Sequence, residues 1–283
     1  MSNIAIVTDS TADLTARTAA EHGIAVVPVS VIHKGKTYLD GIDITSEAFY
    51  PMLRSSDELP TTSQPAPLQF QEVYERLLES ADGIVSIHVS GELSATVDSA
   101  RTAAASVSKE RIHVVDSGFV SYALALQILE AARLAREGSI AEDILTRMAR
   151  LKDKMELAFT LDTLHYLHKG GRIGMVSALM GTVLGIKPVI RIEEGHLVPA
   201  GKARSTTRAL SSIVDILSKR YGQEKVTVAV GHGAGAEYAS MLREMVISAL
   251  NVDGEPAAFE IGPAVGVHAG PGAVGVAVRP VEY

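Results

Sequence analysis

Residues 83–89 read Gly83-Ile84-Val85-Ser86-Ile87-His88-Val89, a mostly aliphatic run closed by Ser90-Gly91. It is too short for a buried helix and fits a strand covered on both faces. Similar runs occur at Ile4–Val7, Ala25–Val31 and Ile112–Val115, and longer stretches of helical spacing lie among them at Leu68–Glu79 and Tyr122–Glu137. Strands alternating with helices imply a parallel sheet with helices on both faces. In open sheets of this kind ligands bind beyond the carboxyl ends of the strands. Asp9-Ser10, Ser90 and Asp116-Ser117 all fall at such ends. Gly138 closes one helix, and Ser139-Ile140-Ala141-Glu142 has the form of a capping box opening the next.

The second half changes rhythm. Strand-like runs at Glu156–Leu161, Pro188–Ile192, Val226–Gly231, Ala257–Ile261 and Ala273–Val278 surround helices near Thr206–Tyr221 and Glu237–Leu250. Ile192-Glu193-Glu194-Gly195-His196-Leu197 reads as a hairpin, so this sheet is expected to be mixed. The expectation is an α/β protein of two domains. Residues 1–157 form an α/β/α parallel-sheet domain and residues 158–283 a two-layer mixed α/β domain. A cleft between them is the natural ligand site.

Composition narrows the function. Of 283 residues 47% are hydrophobic but only 5% aromatic, with no Trp, so the interior is aliphatic. A net charge of −7 argues against nucleic acid as a partner. Without cysteine there is no disulfide or thiolate metal site. Met1 leads directly into a strand-like run, without the basic and apolar regions of a secretory signal, and no apolar run reaches the roughly 18 residues of a membrane span. A soluble, cytoplasmic protein is expected.

Several local patterns can carry chemistry, each beside a structural alternative. Ile261-Gly262-Pro263 through His268-Ala269-Gly270-Pro271-Gly272 reads as a glycine-rich turn presenting one imidazole, or as a plain turn with a surface histidine. Thr62-Ser63-Gln64-Pro65 offers two hydroxyls and an amide before a helix, as an N-cap or as an anion site. Ser90 and Ser94 follow a buried strand, with Gly91 between, as caps or ligands. His165 and His168 lack a third metal ligand at recognisable spacing, and no metal or cofactor is expected. Gly231-His232-Gly233-Ala234-Gly235 lacks the ending of a phosphate loop and reads as a strand-to-helix turn. Between residues 165 and 208 seven basic side chains (Lys169, Arg172, Lys187, Arg191, Lys202, Arg204, Arg208) face two acidic ones, Glu193 and Glu194. This is an ordinary mixed surface or a basic patch that docks an acidic partner or steadies a phosphate, with Arg172 and then Arg204 as leading contacts.

Seven segments, IVTDSTADL at 6–14, TTSQPAP at 61–67, SGELSAT at 90–96, VVDSG at 114–118, LDTLHYLHKGGRIG at 161–174, LGIKPVIRIEEGHLVP at 184–199 and IGPAVGVHAGPGAVG at 261–275, occur in order. Together they resemble the DegV family of bacterial fatty-acid-binding proteins, end to end. Ala95 stands where the family usually has glycine, and Ala269 where threonine is common. SGELSAT varies the usual double-serine form, so either Ser90 or Ser94 can face a ligand.

The resemblance implies a non-enzymatic lipid carrier with a long-chain fatty acid in an interdomain tunnel. Its carboxylate would be held by Thr62, Ser94 and His268, with Ser63, Ser90, Gly91 and Gly270 as additional neighbours. It further implies presentation of that carboxylate to a separate ATP-dependent fatty acid kinase, which makes acyl phosphate for phospholipid synthesis. On this reading Arg172 serves the partner and not the pocket, and transient contact with a membrane surface is expected. Burying each methylene yields about 0.8 kcal/mol, so a long chain gains on the order of 10 kcal/mol before ordering costs. A charged His268 would make affinity fall as pH rises, whereas a neutral donor would leave little pH dependence. The alternative is an acyl hydrolase or transferase using Ser94 with His268, for which no nucleophile elbow or orienting third residue is recognisable.

Overall fold

Ile6 and Val7, neighbours in one strand, point to opposite sides of a parallel sheet and enter different cores. The computed structural model describes residues 3–180 and 185–283, so Leu184, first residue of the motif at 184–199, lies outside the described residues. The parallel sheet has four strands in the order Ile24–Val27, Ile4–Asp9, Gly83–His88, Ile112–Asp116. Val7 and Ile84 pack against helices Pro67–Leu78 and Thr96–Val107 through Phe70, Tyr74 and Ala100. Ile6 and Val85 face helices Tyr122–Arg136 and Ala141–Lys154 through Leu124, Ile128, Ile144 and Met148.

That second helix pair is shared. Its far side packs on a seven-stranded mixed sheet, through Leu157, Ile190, Ala229 and Ala277. The sheet runs His196–Ala203, Lys187–Glu193, Glu156–Thr160, Val274–Pro280, Lys225–His232, and the last strand pairs in parallel with both Asn251–Val252 and Ala257–Glu260. Helices Thr206–Tyr221 and Ala236–Ala249 close its outer face, packing Leu210 and Leu242 in one core with Val228 and Val276. The layers are therefore helix, sheet, helix, sheet, helix. The strand Glu156–Thr160 spans the expected boundary at 157/158. The hairpin forms as read, Glu193 pairing with His196 across Glu194 and Gly195, both at positive φ.

Three local expectations are corrected. The run Ala25–Val31 is not one strand: it breaks at Pro28, which has no N–H to donate to a ladder, into Ile24–Val27 and Ser30–His33. The second piece joins a small antiparallel sheet with Lys36–Leu39 and Thr61–Ser63. Ser139 does not cap a helix. The N-cap is Ile140, without a side-chain bond, and the Ser139 N–H is used by the Leu134 carbonyl of the preceding helix. The glycine-rich stretch before the last strand is not a loop, because Pro263–Ala269 is helical. Among the described residues no helix is long and apolar enough to cross a membrane.

Candidate functional site

The short helix Pro263–Ala269 positions the site. Pro263 at its first turn is pre-set for helical φ and lacks a donor that would be unsatisfied there anyway. Gly266 lets the helix settle onto Phe49 and Tyr50, since a Cβ at this position would lie 2.7 Å from Phe49 Cε1. Gly270, at φ +74°, ends the helix in a conformation that favours glycine. His268 thus sits in the last turn, not in a flexible loop.

Its two ring nitrogens have different surroundings. Nε2 lies 2.9 Å from Thr62 Oγ1. Nδ1 is buried without a partner among the described residues and rests on Gly170, where a Cβ would come within 2.2 Å. Burial, and secondarily the charge of Arg172, lowers the His268 pKa to about 4. The imidazole is therefore neutral at physiological pH.

Thr62 reaches His268 because Thr61–Ser63 is a strand, registered with Val31 opposite Thr62. It is not a cap: the following helix begins at Pro67 with Ala66 as N-cap, whose N–H is accepted by Gln69 Oε1 at 2.8 Å. Arg172 is half-buried, donating from Nη1 to the Gly170 carbonyl at 2.7 Å and from Nε to the Leu93 carbonyl at 3.1 Å. The second bond ties it to the loop that carries Ser94, whose Oγ lies 2.8 Å from Thr96 Oγ1.

These four side chains line one cavity, which encloses about 1010 Å³ of unfilled space with its mouth included. The remaining wall is chiefly apolar, including Val89 and Val120 beside the parallel sheet, Leu157, Phe159 and Val274 from the mixed sheet, and Leu167, Leu197 and Ala264. Gly231 makes room at depth, since its missing Cβ leaves the space that the Phe259 ring fills, and Tyr122 stacks on that ring at 4.1 Å.

Other expected residues stand elsewhere. Ser90 is fully buried, donating to the Gly195 carbonyl at 2.8 Å and accepting from Glu92 N at 3.2 Å, and it is absent from the cavity wall. Gly91 is turned to Asp116, donating to Oδ2 at 3.1 Å. Ser63 is exposed, and Gly270 abuts the Tyr166 ring behind the wall. Arg204 is exposed on the bend after the strand His196–Ala203.

The basic window is also less charged than its sequence count. Lys187 pairs with Asp162, and Arg191 with Glu156 and Glu193. Glu156 and Asp162 lie before the window in sequence but on or just after the neighbouring antiparallel strand, which a linear count misses. Arg172, expected at the pocket mouth as a partner or phosphate contact, is a wall residue of the cavity. Gln64, the amide of the candidate anion segment, also lines the cavity, as do Thr11 and Ser121, which were not singled out for it by the sequence.

The pairing required of a serine hydrolase is missing from this wall, because Ser94 bonds Thr96 and His268 bonds Thr62. A Ser–His–Asp chain does exist: Ser86 Oγ lies 2.7 Å from His88 Nε2, and His88 Nδ1 lies 3.0 Å from Asp9 Oδ2. All three residues have 0% exposure, and Tyr74 covers Ser86 at 2.8 Å, so this chain is a core polar network without substrate access.

The family model described as "Uncharacterised protein, DegV family" matches residues 3–281. A DegV domain-containing protein of Deinococcus radiodurans is 38% identical over 283 residues, covering 99% of both chains. A DegV-family structure from Thermus thermophilus, described for its fatty acid binding, superposes with TM-score 0.94 at 34% identity, over 99% of this chain and 100% of that one. DegV of Bacillus subtilis, described as a fatty acid binding protein, gives TM-score 0.89 at 32% identity, again over 99% and 100% of the two chains. With the match running through both sheets and the cavity between them, the chain belongs to the DegV family.

Proposed function

We infer that this protein binds a long-chain fatty acid, with the acyl chain in the cavity and the carboxylate among Thr62, Ser94, His268 and Arg172. One observation carries the reading: a chiefly apolar cavity has two hydroxyls, a neutral imidazole and one guanidinium in its wall. The fatty acid binding of the Thermus and Bacillus relatives supports it. Hydroxyl and imidazole donors satisfy a carboxylate without fixing it irreversibly, and the guanidinium supplies the charge that a neutral histidine does not. Apolar burial along the chain supplies most of the affinity.

The finer part of the reading is that the carboxylate is presented to a separate ATP-dependent fatty acid kinase, in the cytoplasm and with transient contact to a membrane surface. It rests on the sequence motifs. No observation favours the hydrolase alternative. Mass spectrometry of lipid extracted from the purified protein tests the core of the reading. A stoichiometric long-chain fatty acid is expected. A lipid-free protein that also fails to bind long-chain fatty acid after delipidation would falsify it.

Two smaller effects follow. Thr62→Ala and Ser94→Ala should each weaken fatty acid binding by about 1.5–2 kcal/mol, the low end of the range for a hydrogen bond to a charged group. Thermal stability should hardly move in Thr62→Ala, whose hydroxyl caps no helix, and should fall only modestly in Ser94→Ala, whose Oγ accepts the Thr96 N–H at 3.3 Å at the start of helix Thr96–Val107. A collapse of stability with normal affinity in the folded fraction would make both residues structural. For His268, the pKa near 4 means that its charge is constant as pH rises through the ordinary histidine range. The affinity ratio between wild type and His268→Gln should therefore be flat from about pH 6 to about pH 8. A ratio that falls with rising pH would show that imidazolium is the binding form.

A further inference from the structure

A glycine with no backbone reason to be one faces the histidine of the site. Gly170 ends the short helix His165–Lys169 at φ −78° and ψ −4°, right-handed backbone that any residue adopts. What it lacks is room for a side chain: a Cβ here would lie 2.2 Å from His268 Nδ1 and 2.9 Å from Cε1. Both of its backbone polar groups are already bonded. The Gly170 N–H donates to the Tyr166 carbonyl at 2.8 Å, and its own carbonyl accepts from Arg172 Nη1 at 2.7 Å. Nδ1 thus rests against a Cα, buried and without a hydrogen-bond partner among the described residues.

This packing decides where the ring carries its hydrogen. A buried N–H without an acceptor costs the desolvation of a donor, whereas an unpaired lone pair is the commoner and milder defect. An imidazolium would be no better, since it carries a hydrogen on both nitrogens and one of them would face Gly170. On geometry alone the single hydrogen belongs on Nε2, which lies 2.9 Å from Thr62 Oγ1. Nε2–H then donates and Thr62 Oγ1 accepts. The hydroxyl hydrogen of Thr62 is left to donate elsewhere, and Thr62 lines the cavity. A carboxylate, which only accepts, is the group that such a donor suits.

We propose that Gly170 is a positioning residue of the site: by seating His268 Nδ1 on its bare Cα it holds the imidazole in the Nε2–H form, which commits the Thr62 hydroxyl to donate to the carboxylate. The role at the carboxylate rests on the fatty acid reading above. The tautomer itself does not, because it follows from contacts within the protein.

The test is a long-range proton–nitrogen NMR correlation on delipidated full-length protein with nitrogen-15 in its histidines, at about pH 8, where an ordinary histidine is neutral too. The His268 signals are assigned by their loss in His268→Gln. The wild type should show the Nε2–H form alone. Thr62→Val removes the partner of Nε2 but not the Gly170 contact, and should keep that form. Gly170→Ala, whose methyl displaces the ring without straining the backbone, should no longer show that form alone, and should bind stearic acid roughly tenfold more weakly. An Nδ1–H form or a mixture in the wild type overturns the proposal. So does a mixture in Thr62→Val, which would make Thr62 and not Gly170 the residue that sets the tautomer. A Gly170→Ala variant with the wild-type spectrum or the wild-type affinity overturns it as well. If that variant does not fold, the spectra of the wild type and Thr62→Val still decide. Failure of the wild type to bind stearic acid would remove the fatty acid reading and leave the ligand-free spectrum, and the tautomer it reports, unaffected.

Discussion

Arg172→Ala is expected to weaken fatty acid binding by about 1.5–3 kcal/mol, the range for a hydrogen bond to a charged group. Of the described side chains that line the cavity it is the one permanent cation, and His268 beside it is neutral because burial and the charge of Arg172 both oppose its protonation. Removing the guanidinium leaves the carboxylate with neutral donors alone. Arg172→Lys should fall between, since an ammonium keeps the charge but not the fork that bonds the Leu93 and Gly170 carbonyls. Titration calorimetry on delipidated protein reads the effect. Unchanged affinity, with only transfer to a kinase impaired, would return Arg172 to a docking surface outside the pocket.

The largest stability loss is expected at a place remote from the ligand. Glu156 is 1% exposed, yet its carboxylate accepts from Arg191 Nε at 2.8 Å and from Nη2 at 2.6 Å, with Arg220 at 3.5 Å. Arg191→Ala leaves a buried carboxylate with a single, longer cationic contact. Breaking a buried pair in this way costs about 3–5 kcal/mol. Replacing both partners by apolar residues, as in Glu156→Leu with Arg191→Met, should recover most of the loss, because the desolvation penalty disappears with the charge. Chemical denaturation measures both. A double variant as unstable as Arg191→Ala would mean that strand packing, and not the unpaired charge, sets the cost.

Aliphatic runs such as Ile4–Asp9 and Lys225–His232 declare themselves in sequence because both faces of these strands are buried, so no polar alternation blurs them. The helix Pro263–Ala269 was hidden for the converse reason. Glycine disfavours helix by roughly 1 kcal/mol, and the contact that requires Gly266, against Phe49 and Tyr50, comes from more than 200 residues away in the chain. Capping signals were similarly ambiguous: Thr62, Ser63 and Ser139 have the right chemistry for caps, but a strand register and a neighbouring helix end claim them first. The cluster itself could not be assembled from spacing. Thr62 and His268 are 206 residues apart, and only the ordered family motifs brought them together. No such motif reading singled out Ser121, whose partner Asp13 lies 108 residues earlier. The side of the pocket on which Arg172 stands was likewise a matter of tertiary geometry, which a local charge count does not contain.

The most direct measurement is a crystal structure of the protein loaded with stearic acid. The account predicts the carboxylate within hydrogen-bonding distance of Thr62 Oγ1, Ser94 Oγ, His268 Nε2 and the Arg172 guanidinium, with the chain running past Ala264 toward Phe259. A carboxylate seated instead at Thr11 and Ser121, or a lipid bound outside this cavity, would contradict it.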